Sequence, residues 1–153
     1  MIKVVFVCLG NICRSPMAEV VFKDLLEKEG IADQVQVDSA GTSSLEEGNP
    51  AHQGTQDRLA QEGLSAEGLH SRPIDQEDLE ADYIVAMDQS NVNDILAYIS
   101  GRPAGQVKKL LAYAGSQKDI ADPWYTGDFD ATYADVIKGC QGLLDEIKAK
   151  HFD

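Results

Sequence analysis

The sequence predicts an α/β fold, a parallel sheet between layers of helices, in a single domain spanning residues 1–153. Three observations predict it. The chain has 153 residues, 43% of them hydrophobic and 25% charged, which suits one soluble core with no sign of a second. Its opening run, Ile2-Lys3-Val4-Val5-Phe6-Val7-Cys8, is apolar and rich in β-branched residues, as expected of a strand covered on both faces. Strand-like and helix-like segments then alternate along the chain, the pattern of parallel sheets whose crossovers are helices.

Strand 1 covers Ile2 to Cys8. Leu9-Gly10-Asn11 breaks the pattern. From Ser15-Pro16 onward Met17, Val20, Val21, Leu25 and Leu26 recur at helical spacing to about Gly30, with Pro16 in the favoured first turn. Val35 to Asp38 alternates like a strand and enters a loop at Ser39-Ala40-Gly41-Thr42. A weaker helical stretch runs from Thr55 to Glu62 and stops at Gly63. After the loop around His70-Ser71-Arg72-Pro73, Tyr83 to Met87 reads as a buried strand and Ser90 to Ile99 as a helix. Val107 to Leu111 is the candidate fourth strand, and Asp119 to Asp130 is an acidic, aromatic loop. Tyr133 to Ala149 is a closing helix holding Val136, Ile137, Leu143, Leu144 and Ile147. Ligands in such folds bind beyond the carboxyl ends of the strands, and Cys8 ends strand 1.

Composition narrows the function. A formal net charge of −13 argues against nucleic acid or an anionic membrane as partner, since both reward clustered Lys and Arg. The N-terminal apolar run is too short to span a bilayer and lacks the features of a signal peptide, so the expected location is the cytoplasm. Cys8, Cys13 and Cys140 are three cysteines in neither zinc-site nor disulfide-framework spacing, which leaves reactive or buried thiols. Any anionic substrate must be drawn in by a strong local positive field against the charge of the whole chain.

The informative stretch is Cys8-Leu9-Gly10-Asn11-Ile12-Cys13-Arg14-Ser15-Pro16. It places a thiol and a guanidinium on a strand-loop-helix junction. Unpaired N–H groups and the positive end of the helix dipole converge there, so an oxyanion or a Cys8 thiolate is stabilised directly. Gly10 lets the backbone curl. Arg14 offers a planar fork for two phosphoryl oxygens, which lysine cannot copy. Ser15 either donates its hydroxyl to the Cys8 sulfur or caps the helix. With three Cys, four Arg and 13 Ser or Thr in the chain, Cys-x5-Arg-Ser/Thr is expected by chance roughly 0.007 times, so the motif is specific.

Val5 to Pro16 resembles the signature loop of the low-molecular-weight protein-tyrosine phosphatases. Asp38-Ser39-Ala40-Gly41-Thr42, Met87-Asp88-Gln89-Ser90-Asn91 and Asp122-Pro123-Trp124-Tyr125 match further family segments in the same order. The resemblance implies a four-stranded parallel sheet flanked by helices, with the phosphate-binding loop after strand 1. It implies no metal, no cofactor and hydrolysis of aryl phosphate monoesters through a phosphocysteine. Cys8 would be the nucleophile, Arg14 the phosphate ligand and Asp122 the general acid and then base. Leu9, Gly10, Asn11, Ile12, Cys13 and Ser15 would cradle the phosphate, with Asn11 and Ser39 supporting the loop. Trp124 and Tyr125 resemble the aromatic pair that walls the pocket, although most relatives have tyrosine where Trp124 stands. Partners would be tyrosine-phosphorylated proteins, with phosphate or other oxyanions as competitive inhibitors.

Several residues carry two readings. Trp124 and Tyr125 either wall the pocket or pack inward. Cys13 is a redox partner for Cys8 or a buried thiol. His70 lies near a family histidine of the loop network, in a segment one residue short. Asp88 orients Arg14 or caps the next helix, and the cap is preferred. Tyr125 is a candidate for regulatory phosphorylation. Other classes share this loop: arsenate reductases add resolving cysteines in mid-chain, and none occurs between Cys13 and Cys140. Phosphocarrier subunits need no counterpart of Asp122. Protein-arginine phosphatases tend to carry threonine where this chain has Ile12 and lack the second aromatic.

Overall fold

The computed structural model describes residues 1–152. Four parallel strands, β1 (Ile2–Cys8), β2 (Val35–Gly41), β3 (Tyr83–Ala86) and β4 (Gln106–Lys109), form one sheet in the order β2-β1-β3-β4. The crossovers and closing segment hold α1 (Arg14–Glu29), α2 (Gln53–Gln61), α3 (Gln89–Ile99), the short α4 (Pro123–Thr126) and α5 (Phe129–His151). The predicted fold class is therefore the observed one, including the strand count.

The central strand shows why the opening run is apolar throughout. Val4, Val5, Phe6 and Val7 are all fully buried. Successive side chains of a strand point to opposite faces. Val4, Phe6 and Cys8 enter a core with Met17 and Phe22 of α1 and Val136, Leu143 and Ile147 of α5. Val5 and Val7 enter a second core with Ile84 of β3 and Ile95 and Ile99 of α3. Both faces are covered, as parallel sheets require.

Four boundaries differ from the sequence expectation in ways that the packing explains. β2 continues through Gly41, because Ser39, Ala40 and Gly41 pair with Phe6, Val7 and Cys8. The fourth strand ends at Lys109, and Leu110–Ala114 winds into a 3-10 turn. Leu110 and Leu111 are adjacent yet both enter the same core, which strand alternation forbids and a helical turn allows. α2 begins at Gln53, two residues early, where His52 Nδ1 accepts from the Gly54 N–H (3.0 Å). α5 begins at Phe129, four residues before the expected Tyr133, because Asp128 caps it by accepting from the Ala131 N–H (2.9 Å). No described helix is long and apolar enough to cross a membrane.

Candidate active site

β1 delivers Cys8 to the carboxyl edge of the sheet, and α1 starts six residues later at Arg14. The carbonyls between them are almost all claimed from outside. Cys8 O accepts from the Thr42 N–H (2.9 Å), Leu9 O from the Ser43 N–H (3.0 Å) and Ile12 O from the His52 N–H (2.7 Å). Gly10 O accepts from Ser71 Oγ (2.8 Å) and Cys13 O from Thr55 Oγ1 (3.2 Å). In a planar trans peptide the N–H points opposite to the C=O. Turning these carbonyls outward therefore turns the following amides inward, around the Cys8 sulfur.

The Asn11 N–H shows this directly, lying 3.3 Å from Cys8 Sγ, and Ser15 Oγ lies 3.0 Å from the same sulfur. Asn11 stands at φ +56°, in the left-handed region, which is costly for a non-glycine residue. Its side chain holds it there. Asn11 Nδ2 donates to Ser15 Oγ (2.7 Å) and Ser39 Oγ (3.0 Å), and Oδ1 accepts from the Arg72 N–H (3.1 Å). Gly41 flanks the loop where a Cβ would come within 2.9 Å of Leu9 O, so only glycine lets β2 approach this closely.

Arg14 is 2% exposed. Its Nη1 donates to Asp88 Oδ2 (2.6 Å) and to Ile120 O (2.8 Å), while Nη2 is 3.4 Å from Asp122 Oδ2. Burial works against the charge, yet Cys8, Asp88 and Asp122 outweigh it and raise the Arg14 pKa. Arg14 Nε is buried and has no partner in the protein, an unmet donor that a bound oxyanion would satisfy. Asp88 plays both parts weighed for it. Oδ1 caps α3 through the Asn91 N–H (2.7 Å) while Oδ2 holds Arg14.

Asp122 comes from the far end of the chain. The loop is moored by the Ile120 N–H on Met87 O (2.9 Å), and Asp122 Oδ1 caps α4 through the Trp124 N–H (3.0 Å). Pro123 occupies the first helical turn. The expected loop thus contains a turn of helix, which fixes where Asp122 points.

Between these pieces lies a cavity of about 260 Å³ lined by Cys8, Leu9, Gly10, Ile12, Cys13, Asp122, Trp124 and Tyr125, and also by Ser43, Leu45 and Glu46. Trp124 and Tyr125 are 56% and 77% exposed, so they wall the pocket and do not pack inward. Trp124 rests edge-on against His52, ring centroids 5.6 Å apart. Leu45 was not anticipated. It is the most exposed large apolar side chain of the chain's described part, at 92%, and only the return of the β2–α2 segment brings it to the rim.

Two residues carried open readings. His70 is exposed, and its one side-chain hydrogen bond is to Gly68 O (3.2 Å). Its neighbours Ser71 and Arg72 reach the loop instead, so His70 does not join the network. Cys13 is a buried free thiol whose pKa is pushed up to about 12 by burial, helped by Asp122 and Cys8.

A thiol in an amide-lined turn, beside a buried guanidinium and a carboxylate, makes a candidate cysteine-centred oxyanion site on an α/β fold. Comparison with known proteins then places the chain. The model of the low molecular weight phosphotyrosine protein phosphatase family matches residues 3–152, and the chain belongs to that family of hydrolases. It is 42% identical to low molecular weight protein-tyrosine-phosphatase YfkJ of Bacillus subtilis, over 97% of each chain. The crystal structure of YfkJ superposes with a TM-score of 0.94 over 99% of this chain and 97% of that one. PtpA of Staphylococcus aureus is 43% identical over 96% of this chain and 94% of its own. A Drosophila arginine phosphatase is 35% identical, with a TM-score of 0.88 over 97% of this chain and 99% of its own.

Proposed function

We propose that this protein hydrolyses phosphotyrosine in proteins, in the cytoplasm and without a metal, through a phosphocysteine on Cys8. One observation carries the reading: the loop carbonyls are held outward, which turns the following amides toward Cys8, Cys8 lines one cavity with Asp122, and Arg14, 3.4 Å from Asp122, keeps a buried Nε with no partner in the protein. Three equatorial phosphoryl oxygens would be held by the amides of the loop from Leu9 to Ser15 and by Arg14.

The Cys8 thiolate attacks phosphorus, the Sγ–P bond forms and the P–O bond to the aryl group breaks. Asp122 gives its proton to the departing phenolic oxygen. Water then attacks phosphorus and loses a proton to the Asp122 carboxylate, the S–P bond breaks, and inorganic phosphate leaves with Cys8 again a thiolate. Ser15 donates to the sulfur as nucleophile and as leaving group. Trp124, Tyr125 and Leu45 give the pocket depth for a ring, which favours aryl esters over shorter alkyl ones. Phosphate and similar oxyanions would compete for the same cradle.

Similarity to an arginine phosphatase supports a second reading on the same site. Ile12 and Tyr125 favour phosphotyrosine over it. The test is burst kinetics with p-nitrophenyl phosphate in EDTA at mildly acidic pH. Wild type should turn over, Cys8→Ser should be inactive, and Asp122→Ala should be slow yet trap phosphocysteine. Competition between phosphotyrosyl and phosphoarginyl peptides separates the two substrates. Absence of EDTA-resistant turnover in wild type would overturn the assignment.

A further inference from the structure

Behind the loop, a line of buried polar side chains leads away from Cys8 and ends on α1. Ser39 Oγ donates to Glu19 Oε1 (2.6 Å), and Glu19 Oε2 accepts from Lys23 Nζ (2.6 Å), one turn further along the helix. Glu19 is buried, whereas Lys23 is half exposed. A carboxylate in the middle of an amphipathic helix, facing the sheet side, is unusual unless it is paired. The reaction itself gives Glu19 no task.

The chemistry of each group fixes the direction of the line. A carboxylate only accepts, so the Ser39 hydroxyl spends its one hydrogen on Glu19 and offers Asn11 a lone pair. Asp38 does not compete for that hydrogen, since its oxygens are taken by the Ser39 N–H (2.8 Å) and Arg72 Nη2 (3.0 Å). Asn11 therefore turns its NH2 toward Ser39 and Ser15, in agreement with the Arg72 N–H on Oδ1. Ser15 Oγ, already accepting from Asn11, has its hydrogen free for Cys8 Sγ at 3.0 Å.

We infer that Glu19 is a positioning residue, which through Ser39, Asn11 and Ser15 directs a hydroxyl hydrogen at the Cys8 sulfur. Without an acceptor at position 19, the Ser39 hydrogen competes for Asn11. An Asn11 amide that flips to accept it gives up its bond from the Arg72 N–H, so Glu19 and Arg72 hold the amide in the same sense from its two ends. Once the amide has flipped, Ser15 donates to Asn11 Oδ1 and Cys8 loses a donor. Lys23 holds the outer carboxylate oxygen and keeps the inner one facing Ser39. The inference rests on the phosphatase reading for its kinetic consequence, but the hydrogen-bond direction stands on geometry alone.

Two double variants isolate the acceptor from the charge. Glu19→Gln with Lys23→Met removes both charges and leaves the amide oxygen free to face Ser39. Glu19→Leu with Lys23→Met removes both charges and the acceptor, and neither leaves an uncompensated buried ion. The readouts are the iodoacetamide alkylation rate of Cys8 at mildly acidic pH, located by mass spectrometry, kcat and KM for p-nitrophenyl phosphate, and Tm. The Gln/Met protein should keep alkylation and kcat within about threefold of wild type. The Leu/Met protein should lose about tenfold in both, with KM within about twofold. Equal rates in the two variants, or a kcat loss that follows Tm with alkylation unchanged, would overturn the inference. If wild type alkylates at Cys8 but turns nothing over, the phosphatase reading fails while the alkylation contrast still decides the role of Glu19.

Discussion

The floor and the rim of the pocket are built on opposite principles. Beneath the floor, Asn11, Arg14, Ser15 and Ser39 are buried polar groups; Ser15 is held within the loop by Asn11 and Cys8, and the other three by partners from elsewhere in the chain. At the rim, Leu9, Leu45, Trp124 and Tyr125 are exposed apolar groups with few constraints. A half-satisfied buried network is costly, so the floor tolerates almost no change. Exposed rim residues cost the fold little when they change, which on the proposed function would leave them free to set which phosphoester enters. On the proposed function, the chemistry and the choice of substrate would be carried by separable parts of one cavity.

The sharpest attempt to break that division is Arg14→Lys. Lysine keeps the charge but loses the fork to Asp88 and Ile120 and the spare Nε donor, so kcat should fall about 10²- to 10³-fold in steady-state assays. A loss under tenfold would mean that charge alone runs the floor.

Arg72→Ala tests the frame behind the floor. Arg72 pairs with buried Asp78 (2.8 Å) and with Asp38 (3.0 Å). Its pKa is raised, with the Asp78 hydrogen bond as main cause, while that of Asp78 is lowered because Arg72 and an Asp75 backbone bond outweigh burial. Removing Arg72 strands the Asp78 carboxylate. Denaturant unfolding should show a loss of about 3 kcal/mol, the lower end for breaking a buried pair because Arg72 is partly exposed.

Changes at the rim should be gentler. Leu45→Ala or Trp124→Ala should lower kcat/KM for phosphotyrosyl peptides about three- to tenfold through KM, with kcat for p-nitrophenyl phosphate within about twofold. Equal losses in kcat would show that the rim also places Asp122, through the contact of Trp124 with His52.

The smallest effect concerns Cys13. Its folded pKa is raised from an ordinary 9.0 to about 12, so the folded state holds a proton that the unfolded state releases. Its contribution to stability is complete below pH 9.0 and lost as pH rises to about 12. Near neutral pH Cys13 should therefore alkylate much more slowly than Cys8, and Cys13→Ala should flatten the alkaline fall in Tm.

Much of this was legible in the sequence, and the reason is contiguity. Strand, turn and helix around Cys8, Arg14 and Ser15 are encoded within residues 2–16, where apolar alternation, Gly10 and Pro16 act on their own neighbours. The acid loop announced itself as Asp122-Pro123, whose capping chemistry is also local. Boundaries failed where tertiary burial overrode local pattern, as when Leu110 and Leu111 both turned into one core. Asn11 and Ser39 came with the family resemblance, and the other support residues were missed where partners lie far apart. No spacing rule joins Ser71 to Gly10 or Glu19 to Ser39, Asp88 on Arg14 was one of two readings of that residue, and His70 stayed open because proximity in sequence does not show which side chain faces the loop.

The sequence by itself determined the fold class, the family and the residues that meet at the cavity floor, because those signals are carried by short-range periodicity, turn chemistry and one dense motif. Only the tertiary structure decided which carbonyls turn outward, which carboxylate holds Arg14, how the hydrogen bonds run from Glu19 to Cys8, and that Leu45 stands at the rim. Those are properties of atoms brought together across the sheet, and the direction of a hydrogen bond exists only once both of its partners are in place.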